Sequence, residues 1–528
     1  MIQKLSTFLS DAWSWWWQSN NSHDELARVV LTGLLIVLAV LWYYYWIPSL
    51  FKSKNETPPL PPGPLSLPLL GNLPFLDPDL HTYFASLARS YGSILTLWLG
   101  RKVAIVVSSP AMARQVLKDQ DATFANRDVT VAAKAAMCGG SDVVWTQYGP
   151  EWRMLRKVCV RGMLSNAILD SVYALRRREI RQAIVYFYSR VGSPVNFGEQ
   201  MFLTSLNVIT SMLWGGTVKG EERASLGAEF KQVAAEITCL MGKPNLSDFY
   251  PGLARFDLQG IEKQMNGLVV RFDRMFDIMI DQRLKMDGQG GTKDFLQFLL
   301  QLKDEGDAKT PLTMTHLKAL LMDMVLGGTD TVSITVEFAT AEMMNKPQVM
   351  QKVQQELDSV VGKNNIVEES HIRKLPYLYA VMKETMRLHP ALPLLVPHCP
   401  IQTCVVGGYT IPKGARVFVN VWAIHRDPLI WENPLEFDPE RFLNGKCDYS
   451  GNEFNYLPFG AGRRVCAGTE MAERMFLFSL ASILHSFDWK LPQGEKLDLS
   501  EKFGIVLKKK IPLVAIPTPR LSDPSLYE

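Results

Sequence analysis

Phe459-Gly460-Ala461-Gly462-Arg463-Arg464-Val465-Cys466-Ala467-Gly468 puts one cysteine in a glycine- and arginine-rich loop, and an apolar helical stretch (Met471, Met475, Phe476, Ser479, Leu480, Ile483) follows directly. Gly460, Gly462 and Gly468 permit turns and close backbone approach that a Cβ would block. The first-turn N–H groups and dipole of a following helix favour a thiolate over a thiol. Arg464 adds a fixed positive charge two residues away. The stretch reads as a loop that presents a thiolate to a metal. The competing reading is a buried structural cysteine, the common state of a free thiol.

Four more motifs lie upstream in a fixed order: Trp152-Arg153-Met154-Leu155-Arg156, Gly327-Gly328-Thr329-Asp330-Thr331, Glu384-Thr385-Met386-Arg387 and Pro439-Glu440-Arg441-Phe442. With Phe459-x-x-Gly462-x-Arg464-x-Cys466-x-Gly468 they make the chain resemble the cytochrome P450 superfamily over roughly residues 58 to 520. The resemblance implies a mainly α fold with a small β region, preceded by one N-terminal transmembrane helix. It also implies haem b (iron protoporphyrin IX), with Cys466 as the axial ligand of the iron. An axial thiolate donates electron density that favours O–O cleavage.

A chain of 528 residues, at about 150 residues per domain, would divide into three. Motifs spread from Trp152 to Cys466 cannot serve one site from separate domains, so a single catalytic domain over 65–528 is expected. The 56 basic and 53 acidic residues give no reason to expect a nucleic-acid partner. The seven cysteines are odd in number and irregularly spaced, which argues against a disulfide framework and for a reducing compartment. Cys399 and Cys404 lack the second pair that a zinc site requires.

Val29 to Ile47 is a run of nineteen residues without a charge, closing on Trp42-Tyr43-Tyr44-Tyr45-Trp46. It has the length and composition of a membrane span with an interfacial aromatic belt, and no small-residue cleavage site marks it as a signal peptide. Residues 29–47 are expected to anchor the chain in the endoplasmic reticulum membrane. Lys52 and Lys54 after the span favour a cytosolic body. Residues 1–28, with Trp13, Trp15, Trp16 and Trp17, form a head that lies either at the membrane interface or in solution. Asn20-Asn21-Ser22 is a glycosylation sequon. Residues 48–64 form a basic and proline-rich linker, Pro58-Pro59-Leu60-Pro61-Pro62-Gly63-Pro64 being stiff extended chain.

Ser93 to Val107 reads as two short strands with a turn at Gly100, and helical periodicity dominates from Ile168 to about Ser359. A helix over 316–345 begins at a Thr313 or Thr315 cap and ends at Pro347; at 1.5 Å per residue it spans about 45 Å. Gly327 and Gly328 lie four and three residues before Thr331, on one face. A Thr331 hydroxyl can take the i−4 carbonyl and widen the helix locally. The glycines are either a packing notch or room beside a bound ligand. The family resemblance favours the second: space for O₂, with Thr331 and Asp330 delivering protons.

Glu384 and Arg387 meet at i,i+3 on a helix from Pro376 to Pro390. A surface pair is the ordinary reading; the resemblance implies a buried network with Arg441 that supports the cysteine loop. It also implies cofactor contacts from Arg127, Trp152, Arg156, His398, Phe459, Arg464 and Gly468, mainly to the haem propionates. His398 departs from the arginine common in plant relatives, and Arg127 and His398 read equally well as a surface charge and a loop histidine. Arg153, Arg156, Lys157 and Arg161 form either a basic docking face for a reductase or a solvated helix face.

The resemblance places Leu320, Met324, Gly327, Gly328, Leu394, Val396 and Ile505 around an apolar substrate. The implied activity is a monooxygenase acting on a terpenoid, with NADPH supplying electrons through NADPH-cytochrome P450 reductase. A flavonoid or phenolic hydroxylase, an O₂-independent isomerase or dehydratase, and a haem sensor or scaffold are the alternatives.

Overall fold

The computed structural model describes residues 22–51, 58–137, 140–215, 220–285, 294–304, 311–443, 445 and 447–528. The tryptophan cluster of the head, both asparagines of the sequon, and Lys52 and Lys54 lie outside the described residues. The longer helices are α1 Ser22–Phe51, α2 Leu80–Tyr91, α3 Pro150–Lys157, α4 Tyr173–Tyr188, α5 Phe197–Trp214, α6 Gly220–Met241, α7 Ile261–Lys285, α8 Phe295–Asp304, α9 Met314–Asn345, α10 Pro347–Val360, α11 Pro376–Leu388 and α12 Thr469–Ser486. Among the described residues, ten short strands complete a mainly α architecture: β1 Ile94–Leu99, β2 Lys102–Val107, β3 Val195–Asn196, β4 Cys404–Val406, β5 Tyr409–Ile411, β6 Arg416–Val419, β7 Phe487–Lys490, β8 Glu501–Lys502, β9 Lys508–Lys509 and β10 Val514–Pro519.

The long helix α9 starts where its sequence says it should. The Thr313 side chain accepts the His316 N–H while His316 Nδ1 accepts the Thr313 N–H, each at 3.2 Å, closing a reciprocal cap. Among the described residues α9 is the one helix with the length and apolar composition of a membrane span, and it is mostly buried by protein. It is therefore the core helix, packed against α5, α10, α11 and α12. The apolar side chains of α1 from Val29 to Trp42 are instead largely exposed.

The strands β1 and β2 pair antiparallel from Ile94↔Val107 to Leu99↔Lys102, and β6 joins β2 in parallel. Gly100 makes the turn at φ +61°, in the left-handed region that glycine enters freely. The remaining strands form a sheet ordered β3-β10-β7 and the pairs β4-β5 and β8-β9. The Pro58–Gly63 stretch lies against this framework: Pro62 O accepts the Thr96 N–H at 2.8 Å and Pro59 O accepts the Thr410 N–H at 2.9 Å. A Cβ at Gly63 would stand 2.0 Å from Thr96 O, so only glycine allows that approach.

Candidate functional site

The cysteine loop is folded by its own backbone. Cys466 N–H donates to Phe459 O at 3.0 Å, and Gly460 and Gly462 sit at φ +69° and +72°. A Cβ on Gly462 would be 1.9 Å from Leu117 O, so this glycine is sterically required. Gly468 contributes differently from expectation. Its backbone lies at φ −97°, open to other residues, and its value to the site is an N–H that donates to Cys466 Sγ at 3.3 Å. Burial pushes the Cys466 thiol up, while the Gly468 N–H, the positive charge of Arg156 and Thr469 oppose that rise.

Arg464 does not supply the charge beside the sulfur. The turn Gly462–Arg464 swings its guanidinium to the Ala125, Val143 and Thr146 carbonyls, at 2.7, 3.0 and 2.5 Å. Arg156 occupies that place instead. It is half-buried on α3, and among the described residues no hydrogen bond or ion pair holds it.

The other expected cofactor contacts gather close by. Trp152 Nε1 donates to Val143 O at 3.0 Å, and the Arg464 guanidinium carbon lies 4.5 Å from the centre of the Trp152 ring. Arg127 is buried and donates to the Val144, Val396 and Pro397 carbonyls at 3.2, 2.6 and 3.1 Å. Burial and the neighbouring Arg464 lower its pKa to about 9. Its reading as a surface charge does not hold. His398 is buried too, and its ring Nδ1 lies 2.9 Å from Phe124 O. Burial, with Arg127 and Arg464 nearby, lowers its pKa to about 3, so the ring is neutral, its Nδ1–H donates to Phe124 and Nε2 is left as an acceptor. His398 therefore offers no cationic or donor contact of the kind expected.

On the opposite wall, Thr331 Oγ1 donates to Gly327 O at 2.7 Å, the expected i−4 bond. The two glycines behave differently. Nothing lies within 4 Å of a Cβ built on Gly327, whereas one on Gly328 would meet Ile209 Cδ1 of α5 at 2.7 Å. Gly327 faces open space, and Gly328 is the packing notch against α5. Asp330 is buried and its Oδ1 lies 3.0 Å from Lys508 Nζ on β9, a partner that sequence reading did not supply. A cleft reaches from Thr331, Val332 and Thr335 past Met382, Met386 and Ala391 to Phe459 of the cysteine loop.

The remaining pocket residues divide. Val396 and Ile505 are partly buried, and Ile505 packs with Ile334 and Phe338 of α9. Met324 is nearly enclosed. Leu320 is packed at 1 % exposure in the helical core, and Leu394 packs with Phe84 and Phe418 beside the sheet, so neither lines an open cleft. Leu395 reaches the cysteine loop instead. Its Cδ1 is 3.5 Å from the place of a Cβ on Gly460, and its backbone is held at φ +50°, a strained value for leucine.

Glu384, Arg387 and Arg441 form a fully assembled network in which Glu384 and Arg387 are buried and Arg441 is partly exposed. Arg387 makes a two-pronged contact with Glu384 at 2.7 and 2.8 Å, and Arg441 Nε lies 3.2 Å from Glu384 Oε1. Arg387 also donates to the carbonyls of His425, Pro434 and Glu436. His425 Nε2 accepts the Leu457 N–H at 2.8 Å, which carries the network to the start of the cysteine loop.

These features fit haem b. Cys466 is deep in the fold, yet its side chain bares surface to an internal space. Phe459 of its loop shares a cleft with Thr331 of α9, and Arg156, which has no hydrogen-bond or ion-pair partner among the described residues, acts on its sulfur. A flat apolar ring with a metal centre and anionic substituents matches each of these surfaces.

A family model described as Cytochrome P450 matches residues 61–515. A flavonoid 3'-monooxygenase of Crocosmia x crocosmiiflora is 41% identical over 479 residues, covering 88% of this chain and 94% of the relative. A geraniol 8-hydroxylase of Swertia mussotii is 41% identical over 474 residues, covering 89% of this chain and 94% of the relative. Among solved structures, a zebra fish cytochrome P450 with abiraterone superposes with a TM-score of 0.72 at 27% identity, covering 84% of this chain and 100% of that one. The chain thus belongs to the cytochrome P450 family and is a monooxygenase whose cofactor is haem b.

Proposed function

We propose that this enzyme hydroxylates an apolar terpenoid, with electrons passed from NADPH by NADPH-cytochrome P450 reductase, while α1 anchors it in the endoplasmic reticulum membrane. The observation that carries this reading is the Cys466 sulfur, held by a loop whose Phe459 shares a cleft with Thr331 of α9. Cys466 would hold haem b, which when bound would supply the oxidising chemistry. Arg156 and Trp152, with Arg464 and Arg127, would be the residues that hold its anionic substituents. Thr331 offers a hydroxyl, and Asp330 behind it passes protons inward, held by Lys508. Glu384, Arg387 and Arg441 keep the cysteine loop in place.

A cleft bordered by Val332, Met382, Met386 and Ala391 suits an apolar ligand. The geraniol 8-hydroxylase relative supports a terpenoid. A second reading, a flavonoid hydroxylase, is favoured by the 3'-monooxygenase relative at equal identity. The exposed apolar flank Val29–Trp42 supports the bilayer anchor, with 29–47 as span, 48–64 as linker and 65–528 as catalytic domain. The test is a carbon-monoxide difference spectrum of reduced microsomes, then spin-state titration with terpenoids and flavonoids. A thiolate-type band that shifts with terpenoids alone bears out the proposal; a flavonoid shift selects the second reading; a histidine-type band refutes both.

A further inference from the structure

The buried Asp142 and the half-buried Asp323, whose Oδ1 is enclosed, are two carboxyls that the catalytic reading does not use. Asp142, in the loop before α3, is fully buried; its Oδ1 accepts the N–H groups of Trp145 and Thr146 at 2.8 and 3.1 Å. Asp323, on α9 one turn before Gly327, points Oδ2 at the Val143 N–H, 2.7 Å away. The remaining oxygens, Asp142 Oδ2 and Asp323 Oδ1, are shut off from water and receive no N–H or O–H. The two carboxyls hold neighbouring N–H groups of one loop, Asp323 that of Val143 and Asp142 those of Trp145 and Thr146, and each acts on the other's titration. Two ionised carboxylates have no hydrogen to share, and enclosing both is strongly unfavourable. One proton between them satisfies both orphan oxygens.

The surroundings indicate which oxygen carries it. Burial and the charge of Asp142 push Asp323 well up. Burial raises Asp142 as well, to about 6, but its two backbone N–H bonds hold it the lower of the pair. The facing groups are Arg127 and Arg464 on the Asp142 side and the Cys159 thiol, itself raised by burial, on the Asp323 side. Neither arginine forms an ion pair with Asp142 among the described residues; both donate to backbone carbonyls.

The pair pins Val143. The N–H of that residue goes to Asp323, and its carbonyl receives both Trp152 Nε1 and Arg464 Nη1 at 3.0 Å. We propose that Asp142 and Asp323 share a single proton and act together as positioning residues, fixing the 141–146 loop to α9 so that Trp152, Arg464 and Arg127 converge on the edge of the cleft. The naming of that edge rests on the reading above; the pairing does not. Because the Asp323 carboxyl is raised, its hold on the loop is present at low pH and is lost as pH rises through its folded value, when two enclosed anions repel.

The test is amide hydrogen exchange of Val143–Thr146 in the full-length holoprotein, followed from about pH 6 to about pH 9 with intrinsic rates divided out. Wild-type protection is expected to fall several-fold with rising pH. D323N, whose amide donates to Asp142 at every pH, should hold protection flat, and D323A should lack it throughout while α12 stays protected. The infrared band of a buried protonated carboxylic acid should be present in the wild type and absent in both D323N and D142N, which keeps the test valid if either variant folds poorly. A wild type without that band, or a pH response unchanged in D323N, overturns the proposal. Neither readout passes through Cys466, so such a failure is separate from failure of the thiolate reading.

Discussion

Lys508 on β9 reaches across to α9 and sets its ammonium 3.0 Å from Asp330 Oδ1, one residue before the hydroxyl that faces the cleft. The lysine is about half exposed and the aspartate buried, so the pair joins the helix interior to solvent. K508Q should leave haem content unchanged and lower the product formed per NADPH consumed several-fold, with K508R restoring most of it. Equal coupling in K508Q and wild type would remove Asp330 from the proton path.

Cys466→Ser is expected to fold, because the loop is closed by the Cys466 N–H to Phe459 O and by Gly462 against Leu117, neither of which needs sulfur. It should lose the thiolate-type carbon-monoxide band and all oxygenation. Wild-type turnover in C466S would sink the assignment.

Glu384 and Arg387 are both fully buried and bonded to each other. Arg387→Ala leaves a carboxylate without its main partner, which should cost about 3–5 kcal/mol. Urea unfolding of microsome-extracted protein should show that loss. A change within about 0.5 kcal/mol, typical of a surface substitution, would mean the network is dispensable.

His389 stands between Glu342 and Glu501, at 2.8 and 2.6 Å. Burial works to lower its pKa, but the two carboxylates overcome that and raise it above 6.5. A raised histidine contributes stability fully below its unfolded value and loses it as pH rises through its folded value. Glu501 is the reverse: burial would raise it, His389 and His81 hold it below the usual carboxylate range, and its contribution fades only in strong acid. The urea midpoint difference between wild type and H389Q should therefore shrink on the alkaline side. A constant difference up to about pH 9 would show that His389 is not charged.

Much of this was legible from local spacing. The cap at Thr313, the strand pair about Gly100 and the i,i+3 contact of Glu384 with Arg387 each depend on neighbours within a few positions, and each is found where spacing puts it. The failures share one cause. Arg464 is two residues from Cys466 in the chain, yet a tight turn aims it at Ala125, Val143 and Thr146, while Arg156 arrives from another helix. Lys508 lies 178 positions from Asp330, and Asp323 lies 180 from Val143. No periodicity reports such pairs, because only the crossing of distant elements creates them.

Gly327 and Gly328 look interchangeable in the chain, but a methyl group on each would have opposite results. G328A makes the end of the Ile209 side chain give way and should therefore have a lower thermal midpoint than G327A. G327A enters open space and should leave the midpoint nearly unchanged while altering which ligands shift the spin state. Equal midpoints in the two variants would contradict the close approach of α5 to α9.

That asymmetry has a bearing on how such an enzyme diversifies. Because Gly328 packs against Ile209 of α5 while nothing lies within 4 Å of a Cβ on Gly327, Gly327 can vary with less disturbance of the framework. A lineage or a mutant library can then acquire new products at one position while its neighbour stays invariant, so adaptability and robustness here are properties of adjacent residues, not of separate regions of the protein.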